Sequence, residues 1–256
     1  MQLIITSLPG IPMIKAGDDL AQVILDGLDA ANIELFNGDV IVLAQKIVSK
    51  AEGRTVNLAH VTPSDEAVDL AARTDKDARL VELILRESKQ VLRTRPGTII
   101  VEHRLGFICA SAGIDHSNVP QGDGDNTDEK VLLLPENPDA SALALKRRLD
   151  EARDVDLGVL IIDSHGRAWR LGTVGITIGI AGIPGVVDLR GQPDLYDYNL
   201  QITEVGAADE LAAAASLIMG QAAEGTPVVH VRGFPYELRE STLKELLRPA
   251  ERDLFR

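Results

Sequence analysis

Residues 39–44 read Asp-Val-Ile-Val-Leu-Ala, and residues 157–163 read Leu-Gly-Val-Leu-Ile-Ile-Asp. Both runs are apolar without alternating polar positions, a pattern typical of strands that are buried on both faces. Helical and strand patterns alternate around the first run. The two runs therefore predict a mixed α/β (α+β) protein whose sheets are flanked by helices.

Periodicity predicts the remaining elements. Asp18 is expected to cap the start of a helix at residues 19–31, and Gly220 is expected to cap the end of a helix at residues 207–219. Residues 119–128 carry Gly, Asp and Asn without an apolar face, which predicts a mobile loop. Short strands are predicted at 3–6, 98–102, 107–110, 175–181 and 228–231. Helices are predicted at 19–31, 64–73, 77–89, from Asp139 or Ser141 to about Ala152, at 207–219 and at 240–247.

The composition excludes several classes of function. The 256 residues include 26 Lys and Arg against 39 Asp and Glu, a net charge of −13 with neutral histidines. This charge argues against binding to nucleic acids or anionic membranes, because phosphate groups are held mainly by clustered Lys and Arg. The 4 Phe, 3 Tyr and 1 Trp are too few for base stacking. With 45% hydrophobic and 25% charged residues, we expect an ordinary globular protein.

Cys109 is the only cysteine, which excludes an intrachain disulfide and a cysteine-rich zinc site and favours a reducing compartment. The N-terminus has no basic segment and meets Pro9 and Pro12 early, so no signal peptide is expected. The longest uncharged stretch, residues 171–187, is broken by glycines and a proline and does not predict a membrane-spanning helix. We expect a cytoplasmic protein with residues 1–256 in a single domain, which two interleaved subdomains could build.

The usual nucleotide-binding motifs are absent, because no glycine precedes a lysine and no Gly-x-Gly-x-x-Gly opens a helix. Any phosphate site must then be built in another way. Gln45, Lys46 and Lys50 follow the first buried strand, in a segment, residues 43–54, that concentrates three cations. Such a cluster could neutralise a triphosphate. A solvated charged face explains the same pattern, and on composition alone it is the simpler interpretation.

Asp115 and Asp163 each come just after an apolar run, so we expect a buried strand to open onto a loop at each carboxylate. With the hydroxyl of Ser164 they would supply the oxygen ligands that Mg²⁺ or Mn²⁺ prefers. Each Asp could instead cap a turn or a helix. His165 could act as an acid or base beside Asp163, although a turn histidine bonded to backbone fits the sequence better. Cys109 is expected to be a small buried hydrophobe.

Short stretches spread over the chain match those of one enzyme family, in the same order. They are residues 11–15 (Ile-Pro-Met-Ile-Lys), 17–20, 47–54 (Ile-Val-Ser-Lys-Ala-Glu-Gly-Arg), 112–115 with 117–118, 132–135, 138–142, 163–164 with 166–167, 208–212, 217–220 and 231–233. No single stretch is specific, but their order across nearly the whole chain is. On these residues the chain resembles the F420 gamma-glutamyl ligase family, the coenzyme F420-0:L-glutamate ligases.

The resemblance implies a mixed α/β fold, a homodimer and a GTP-dependent ligase that acts on small molecules. GTP would phosphorylate F420-0, and the amine of L-glutamate would attack the acyl phosphate to form F420-1 and then γ-linked F420-2 or longer products. Two Mn²⁺ or Mg²⁺ ions are the implied cofactors, and the resemblance allows a K⁺ ion as well. Longer relatives continue into a flavin-binding reductase domain, which this chain is expected to lack.

The resemblance also implies residue roles at the matching positions. Asp115 and Asp163 would bind one metal ion, and Ser164 and Gln221 the other. Some family members have Glu where Gln221 stands, so the second site is expected to be weaker here. Asp115, Asp163 and Lys50 are the implied catalytic residues. The implied GTP contacts are Ile11, Pro12, Met13, Ile14, Gln45, Lys46, Lys50, Asn118, Met219, Gly220, Gln221, Ala222, Ala223, Glu224, Gly225 and Thr226.

Two other classes of function stay open on the sequence. A metal-dependent phosphohydrolase would use the same Asp115 and Asp163 but would admit water to the site. A non-catalytic nucleotide-binding regulator would keep Lys46 and Lys50 without turnover. Cleavage of GTP without F420-0 or glutamate would indicate the phosphohydrolase rather than a ligase. Lack of turnover with any acceptor would indicate the regulator.

Overall fold

The structure is a computed structural model that describes residues 2–121 and 129–254. Most of the loop predicted at 119–128 lies outside these ranges. Over the described ranges, no helix has both the length and the apolar character that crossing a bilayer requires. The helices of these ranges are α1 (Leu20–Ala30), α2 (Gln45–Ala51), α3 (Asp65–Thr74), α4 (Ala78–Arg86), α5 (Pro138–Arg153) and α6 (Ala207–Met219). The strands are β1 (Ile4–Ser7), β2 (Val40–Ala44), β3 (Thr55–Asn57), β4 (Ser88–Arg95), β5 (Thr98–His103), β6 (Ile108–Ala110), β7 (Lys130–Leu132), β8 (Gly158–Arg167), β9 (Arg170–Ala181), β10 (Val187–Asp188), β11 (Glu204–Val205) and β12 (Val228–Arg232).

The main sheet of the described chain has five strands, in the order β1-β12-β2-β8-β9. β2 and β8 run parallel, with Val42 opposite Leu160, and the other neighbours are antiparallel. The two apolar runs of the sequence thus lie side by side in the interior of the sheet. A mixed sheet with flanking helices confirms the predicted mixed α/β class.

The main sheet is covered on both faces. Ile41 and Leu43 of β2 belong to an apolar cluster that includes residues of α1 and α5. Val40 and Val42 belong to a second cluster, which includes residues of α6. Successive residues of a strand point to opposite faces of the sheet. When both faces are covered, every residue of the strand is buried, so the strand is apolar throughout and does not alternate with polar residues. Burial of this apolar surface, worth about 25 cal/mol per Å², is the main force that holds the layers together.

β9 approaches two helices closely at two glycines. A Cβ atom at Gly175 would lie 2.5 Å from the carbonyl oxygen of Ala212 and 2.6 Å from Cβ of Ser216, both in α6. At Gly179, a Cβ atom would lie 2.6 Å from Pro138 at the start of α5. Side-chain carbons do not pack at such distances. These two positions therefore accept only glycine unless a helix moves.

The smaller sheets of the described chain are β4-β5-β6, β3-β7 and β10-β11. β4 was not predicted, because the helical pattern of the sequence extends over 77–89. The helix instead ends at Arg86, and Ser88 begins a strand with many exposed Lys, Gln and Arg side chains. The residues of β4 have little apolar character and do not by themselves indicate a strand. The strand forms because it pairs with β5.

Two predicted helix caps are wrong by one to four residues. Asp19, not Asp18, caps α1, where its carboxylate accepts a hydrogen bond from an amide of the first turn. Asn137 caps α5, where Asp139 or Ser141 was expected. In both cases several neighbouring polar side chains suit a cap, and the position at which the backbone turns helical decides among them. Gly220 ends α6 as predicted.

The helix predicted at 240–247 is wrong, since the structure has only a 3-10 turn at Leu243–Glu245. Tertiary hydrogen bonds shape this segment instead. The carboxylate of Asp139 accepts hydrogen bonds from the backbone amides of Leu243 and Ile180, at 3.1 Å and 2.8 Å. The C-terminal segment is thereby tied to β9 and to the start of α5, and its helical periodicity is not used.

Asp39 directly precedes β2 and is almost fully buried. Its carboxylate lies 2.8 Å from Nε2 of His230 and accepts hydrogen bonds from Arg232 at 2.6 Å and from the Phe36 amide at 3.0 Å. Burial by itself raises the pKa of Asp39, but the hydrogen bonds from these three residues outweigh it and lower the pKa from 3.8 to about 2. The folded state therefore favours the ionised carboxylate.

This pKa predicts a loss of stability in acid. The stabilisation from Asp39 is fully present above its unfolded pKa of 3.8 and is lost as pH falls toward about 2. The shift corresponds to about 2 kcal/mol. In denaturant titrations between about pH 5 and pH 2, we expect the free energy of unfolding of wild type to fall more steeply than that of Asp39→Asn. Equal pH slopes for the two proteins would contradict this role of Asp39.

Candidate active site

A cavity of about 610 Å³ opens beside the carboxyl end of β2. Its walls include residues 11–14, the start of α2, residues 113–115 with 117–118, the second half of β8 and the loop 219–226 after α6. Every residue to which the family resemblance gives a role lines this cavity. Elements far apart in the sequence thus bring the predicted site residues together, while the role of each residue stays a prediction.

Asp163 lies inside β8, which continues to Arg167, so the expectation that a strand ends at this carboxylate is wrong. The pairing of β8 with β2 stops at Ile162, opposite Ala44. The residues of β8 that follow Ile162 therefore lie beyond the end of the shorter strand β2. Residues 162–166 line the cavity at this place. The end of the neighbouring strand, rather than the end of β8, opens the space that Asp163 faces.

Asp115 reaches the cavity from another element. It follows the 3-10 turn Ser111–Gly113 and exchanges two backbone hydrogen bonds with Leu132, of 3.0 Å and 2.9 Å. Its carboxylate accepts a hydrogen bond of 2.8 Å from Nε2 of Gln45. The hydroxyl of Ser49 donates to Oε1 of Gln45 at 2.8 Å. Because the hydroxyl engages the amide oxygen, the amide nitrogen of Gln45 is held toward Asp115.

Two carboxylates share the cavity without full compensation of their charge. Burial, followed by the charge of Asp163, raises the pKa of Asp115. Lys46, whose Nζ lies 3.4 Å from Oδ1 of Asp115, and the amide of Gln45 offset this only in part. A divalent cation between the carboxylates would relieve the remaining repulsion. The site is therefore suited to a metal ion.

Lys46 and Lys50 lie one turn apart on α2, and both line the cavity. Nζ of Lys46 donates to the hydroxyl of Ser117 at 2.7 Å. Burial, together with the charge of Lys46, lowers the pKa of Lys50. The third cation of the segment, Arg54, turns away and pairs with Glu87 at 2.9 Å. Two of the three cations thus face a concave site, which fits an anionic ligand better than a solvated charged face.

The two residues implied for a second metal ion are in direct contact. The hydroxyl of Ser164 donates to Oε1 of Gln221 at 2.7 Å, and Nε2 of Gln221 donates to the hydroxyl of Ser216 at 3.0 Å. Ser216 in turn packs against Gly175, which is opposite Ser164 in the β8–β9 pairing. These four residues form a closed ring of contacts, called here the Ser164–Gln221 ring. The ring fixes the orientation of the amide.

The loop 219–226 is shaped by polar contacts of its own and by one from the opposite wall. Gly220 ends α6 with φ of 72°, a conformation that favours glycine. Glu224 accepts a hydrogen bond from the amide of Ala222 at 2.7 Å, and Asn118 donates to the carbonyl of Ala222 at 3.1 Å. The sequence pattern alone indicates only a connection here. The structure makes this loop one wall of the cavity.

His165 lines the cavity but is not a turn histidine bonded to backbone. It lies in β8, almost fully buried, with Nε2 at 2.8 Å from Oδ2 of Asp163. The Asp-x-His spacing could have indicated this contact, since residues two apart on a strand share a face. Cys109 is buried as predicted, and burial, followed by the charge of Asp163, raises the pKa of its thiol to about 12. That thiol is not a nucleophile at neutral pH.

Comparison with known proteins identifies one family. The family model described as F420-0:Gamma-glutamyl ligase matches residues 10–233. The chain belongs to the F420-0:gamma-glutamyl ligase family. This confirms the resemblance drawn from the sequence, and the matched range contains every residue of the F420-0:gamma-glutamyl ligase cavity described above.

Relatives in the F420-0:gamma-glutamyl ligase family match the chain over nearly its whole length. The coenzyme F420:L-glutamate ligase of Methanothermobacter thermautotrophicus is 46% identical over 258 residues, which span 100% of both chains. The enzyme of the same name from Methanopyrus kandleri is 47% identical over 247 residues, 95% of this chain and 93% of the relative. That of Archaeoglobus fulgidus is 40% identical over 256 residues, 100% of this chain and 97% of the relative.

Proposed function

We propose that this chain is a GTP-dependent ligase that joins L-glutamate to coenzyme F420-0. The observation that carries the proposal is one cavity with two carboxylates, two lysines and a serine in contact with a glutamine. The family to which the chain belongs, and relatives named coenzyme F420:L-glutamate ligase, give the substrates. A ligase of this kind must bring a nucleotide phosphate and an acceptor carboxylate together, although both are anions.

The reaction has two steps. The terminal carboxylate of F420-0 attacks the γ-phosphorus of GTP, the bond from this phosphorus to the β–γ bridging oxygen breaks, and GDP leaves. The amine of L-glutamate then attacks the carbonyl carbon of the acyl phosphate. The bond from this carbon to the phosphate oxygen breaks, inorganic phosphate leaves, and the amine loses a proton. Because the added glutamate presents a γ-carboxylate, a second round gives γ-linked F420-2 and longer products.

The lysines answer the main electrostatic difficulty of the first step. The acceptor carboxylate and the γ-phosphate repel each other, and fixed cations lower the energy of the state in which they meet. Lys50 is partly buried and lies beside Lys46. Within the described residues its ammonium group makes no hydrogen bond, so it can bind a phosphate oxygen without first losing a partner. Lys46 would exchange its contact with Ser117 for the ligand. Residues 11–14 and the loop 219–226 would enclose the rest of the nucleotide.

The donor set fits hard divalent cations. Asp115 and Asp163 offer carboxylate oxygens, Ser164 a hydroxyl and Gln221 an amide oxygen, the ligand types that Mn²⁺ and Mg²⁺ prefer. In this proposal Asp115 and Asp163 hold one ion, Ser164 and Gln221 hold a second, and a K⁺ ion would be additional. A bound divalent ion supplies Lewis-acid stabilisation of the charge on the transferred phosphoryl group.

We also propose that the enzyme is a homodimer. The segment between β10 and β11 carries Leu195, Tyr196 and Ile202, whose side chains are almost fully exposed. Several large apolar side chains exposed on one short segment are typical of a protein–protein contact. Static light scattering on the purified chain should give the mass of two chains. A mass of one chain at all protein concentrations would contradict the dimer.

A reconstituted reaction tests the proposed activity. The purified protein is incubated with F420-0, GTP, Mn²⁺ and L-glutamate, and the products are weighed by mass spectrometry. We expect one GDP for each glutamate residue added to F420-0. Cleavage of GTP at the same rate without F420-0 and glutamate would favour a phosphohydrolase. Bound GTP without any turnover would favour a regulator.

Replacement of Gln221 tests the second metal site. In Gln221→Glu, both hydroxyls of the Ser164–Gln221 ring can donate to the new carboxylate, so the local structure should be kept. Metal affinity in oxygen sites rises with the charge of the ligands. We therefore expect Gln221→Glu to lower the Mn²⁺ concentration needed for half-maximal activity. Gln221→Ala, which removes the ligand, should raise it.

The comparison of these two variants separates a metal ligand from a loop residue. Titrations of activity with Mn²⁺ at saturating GTP give the half-maximal concentration for each protein. If both Gln221→Glu and Gln221→Ala match wild type, Gln221 serves only the loop after α6. The metal role at this position would then be withdrawn.

A further inference from the structure

His165 faces the same side of β8 as Asp163, two residues before it. Its ring is 6% exposed, and Nε2 lies 2.8 Å from Oδ2 of Asp163. A carboxylate only accepts hydrogen bonds, so the imidazole nitrogen is the donor. This contact takes one of the two carboxylate oxygens of Asp163 and leaves Oδ1 available to a ligand in the cavity.

The other ring nitrogen of His165 makes the histidine costly for folding. Nδ1 is buried and has no hydrogen-bond partner among the described residues. An unpaired buried polar atom destabilises a protein, and an apolar side chain of similar size would avoid this cost. Packing alone therefore does not explain an imidazole at this position. Its distinctive contribution is the proton on Nε2.

The ring of His165 is held in place by an aromatic neighbour. The ring of Phe107 lies 5.4 Å from it, between centroids, and is inclined by 56°. Phe107 itself stacks on the buried ring of His103 at 5.1 Å. A donor on a ring packed in this way has little freedom to turn, so the carboxylate of Asp163 is held in one orientation.

We infer that His165 is a positioning residue that fixes the carboxylate of Asp163 for a divalent cation. The inference rests on the proposed function, because it assigns His165 to the metal site proposed there. Asp115 is supported in a parallel way by Gln45, whose amide is itself fixed by Ser49. Each carboxylate of the site thus has one oxygen engaged by a buried side chain. Groups that orient metal ligands in this way commonly change metal affinity by about 10- to 100-fold.

Three variants of His165 distinguish its donor from its bulk. In His165→Gln, the amide Nε2 can reach the position of the imidazole Nε2 and still donate to Asp163. In His165→Leu, the packing against Phe107 is kept but no donor is present. In His165→Asn, the amide is polar but too short to reach the carboxylate. If the hydrogen-bond donor of residue 165 positions Asp163, His165→Gln keeps the metal affinity that His165→Leu and His165→Asn lose.

Binding of Mn²⁺ in the presence of GDP gives a readout that needs no turnover. The free ion is followed by electron paramagnetic resonance while protein is added. We expect His165→Leu and His165→Asn to weaken Mn²⁺ binding by about 10- to 100-fold. His165→Gln should bind Mn²⁺ nearly as wild type does. Thermal denaturation of each variant without metal shows whether it is folded.

A purely structural role for His165 predicts a different result. Melting temperatures would then change while Mn²⁺ affinity in folded variants would not, and wild-type affinity in either His165→Leu or His165→Asn would overturn the inference. Failure of His165→Gln to bind better than those two variants would overturn it as well. If wild type itself binds no Mn²⁺ with GDP, the proposed metal site is wrong, and this role of His165 falls with it.

Discussion

Replacing Asp163 with asparagine is expected to lower ligase turnover by about 10²- to 10³-fold or more, the scale of losing one group that stabilises charge in the transition state. The side chains have nearly the same shape, and the amide oxygen of Asn can still accept the hydrogen bond from His165. Only the negative charge at the cavity is lost. Turnover is measured as F420-1 formed at saturating GTP, Mn²⁺ and glutamate.

The choice of asparagine follows from the burial of this site. In Asp163→Ala, Nε2 of His165 would lose its partner in the interior, at a cost of about 1–3 kcal/mol, so lost activity and lost stability would be confounded. Asp139→Asn is a matched control, since Asp139 is a half-buried carboxylate that does not line the cavity. It should keep its turnover. Wild-type turnover by Asp163→Asn would show that Asp163 is no metal ligand.

Replacing Lys50 with alanine is expected to weaken GTP binding by about 10- to 100-fold. A charge-assisted hydrogen bond to phosphate is worth roughly 1.5–3 kcal/mol, which corresponds to that range of affinity. The lowered pKa of Lys50 reflects burial and the nearby charge of Lys46, and a bound polyanion would compensate both. Calorimetric titration with GTP, without F420-0 or glutamate, measures the dissociation constant directly.

Lys244→Ala is the control for this titration. Lys244 is an exposed lysine outside the walls of the cavity. Lys244→Ala therefore changes the net charge by as much as Lys50→Ala does, without removing a contact to GTP. Its affinity for GTP should stay close to that of wild type. If Lys50→Ala also binds GTP with wild-type affinity, Lys50 returns to the solvated-face interpretation.

The strands that carry the main sheet were predictable because their own residues specify their environment. The unbroken apolar runs of β2 and β8 require burial on both faces, and the structure provides it. The strand β4 was missed, since its Lys, Gln and Arg side chains carry no such signal and pairing with β5 creates the strand. An element that depends on its pairing partner, even on the next strand along the chain, is not visible in the periodicity of its own residues.

Some features of the candidate site could likewise be predicted from the sequence, and others could not. Asp115 and Asp163 could be chosen from the sequence as candidate metal ligands, because each carboxylate follows an apolar run. The reason given for Asp163 was wrong, since β8 continues past it to Arg167, and the carboxylate lies just beyond the pairing of β8 with the shorter strand β2. The contact of His165 with Asp163 was open to prediction from their spacing on one strand, whereas the pairing of Arg54 with Glu87 depends on tertiary packing that residue spacing does not encode.

The close approach of β9 to α6 at Gly175 has a consequence for how this sequence can change over time. A single added methyl group at this position would push α6 outward and take Ser216 with it. Ser216 holds the amide of Gln221, so the proposed second metal site would be disturbed by a residue that contacts no substrate. Glycine-to-alanine exchange, a common step both in natural drift and in thermostability engineering, is therefore closed here. Selection for ligation would preserve Gly175 as strictly as a ligand of the metal.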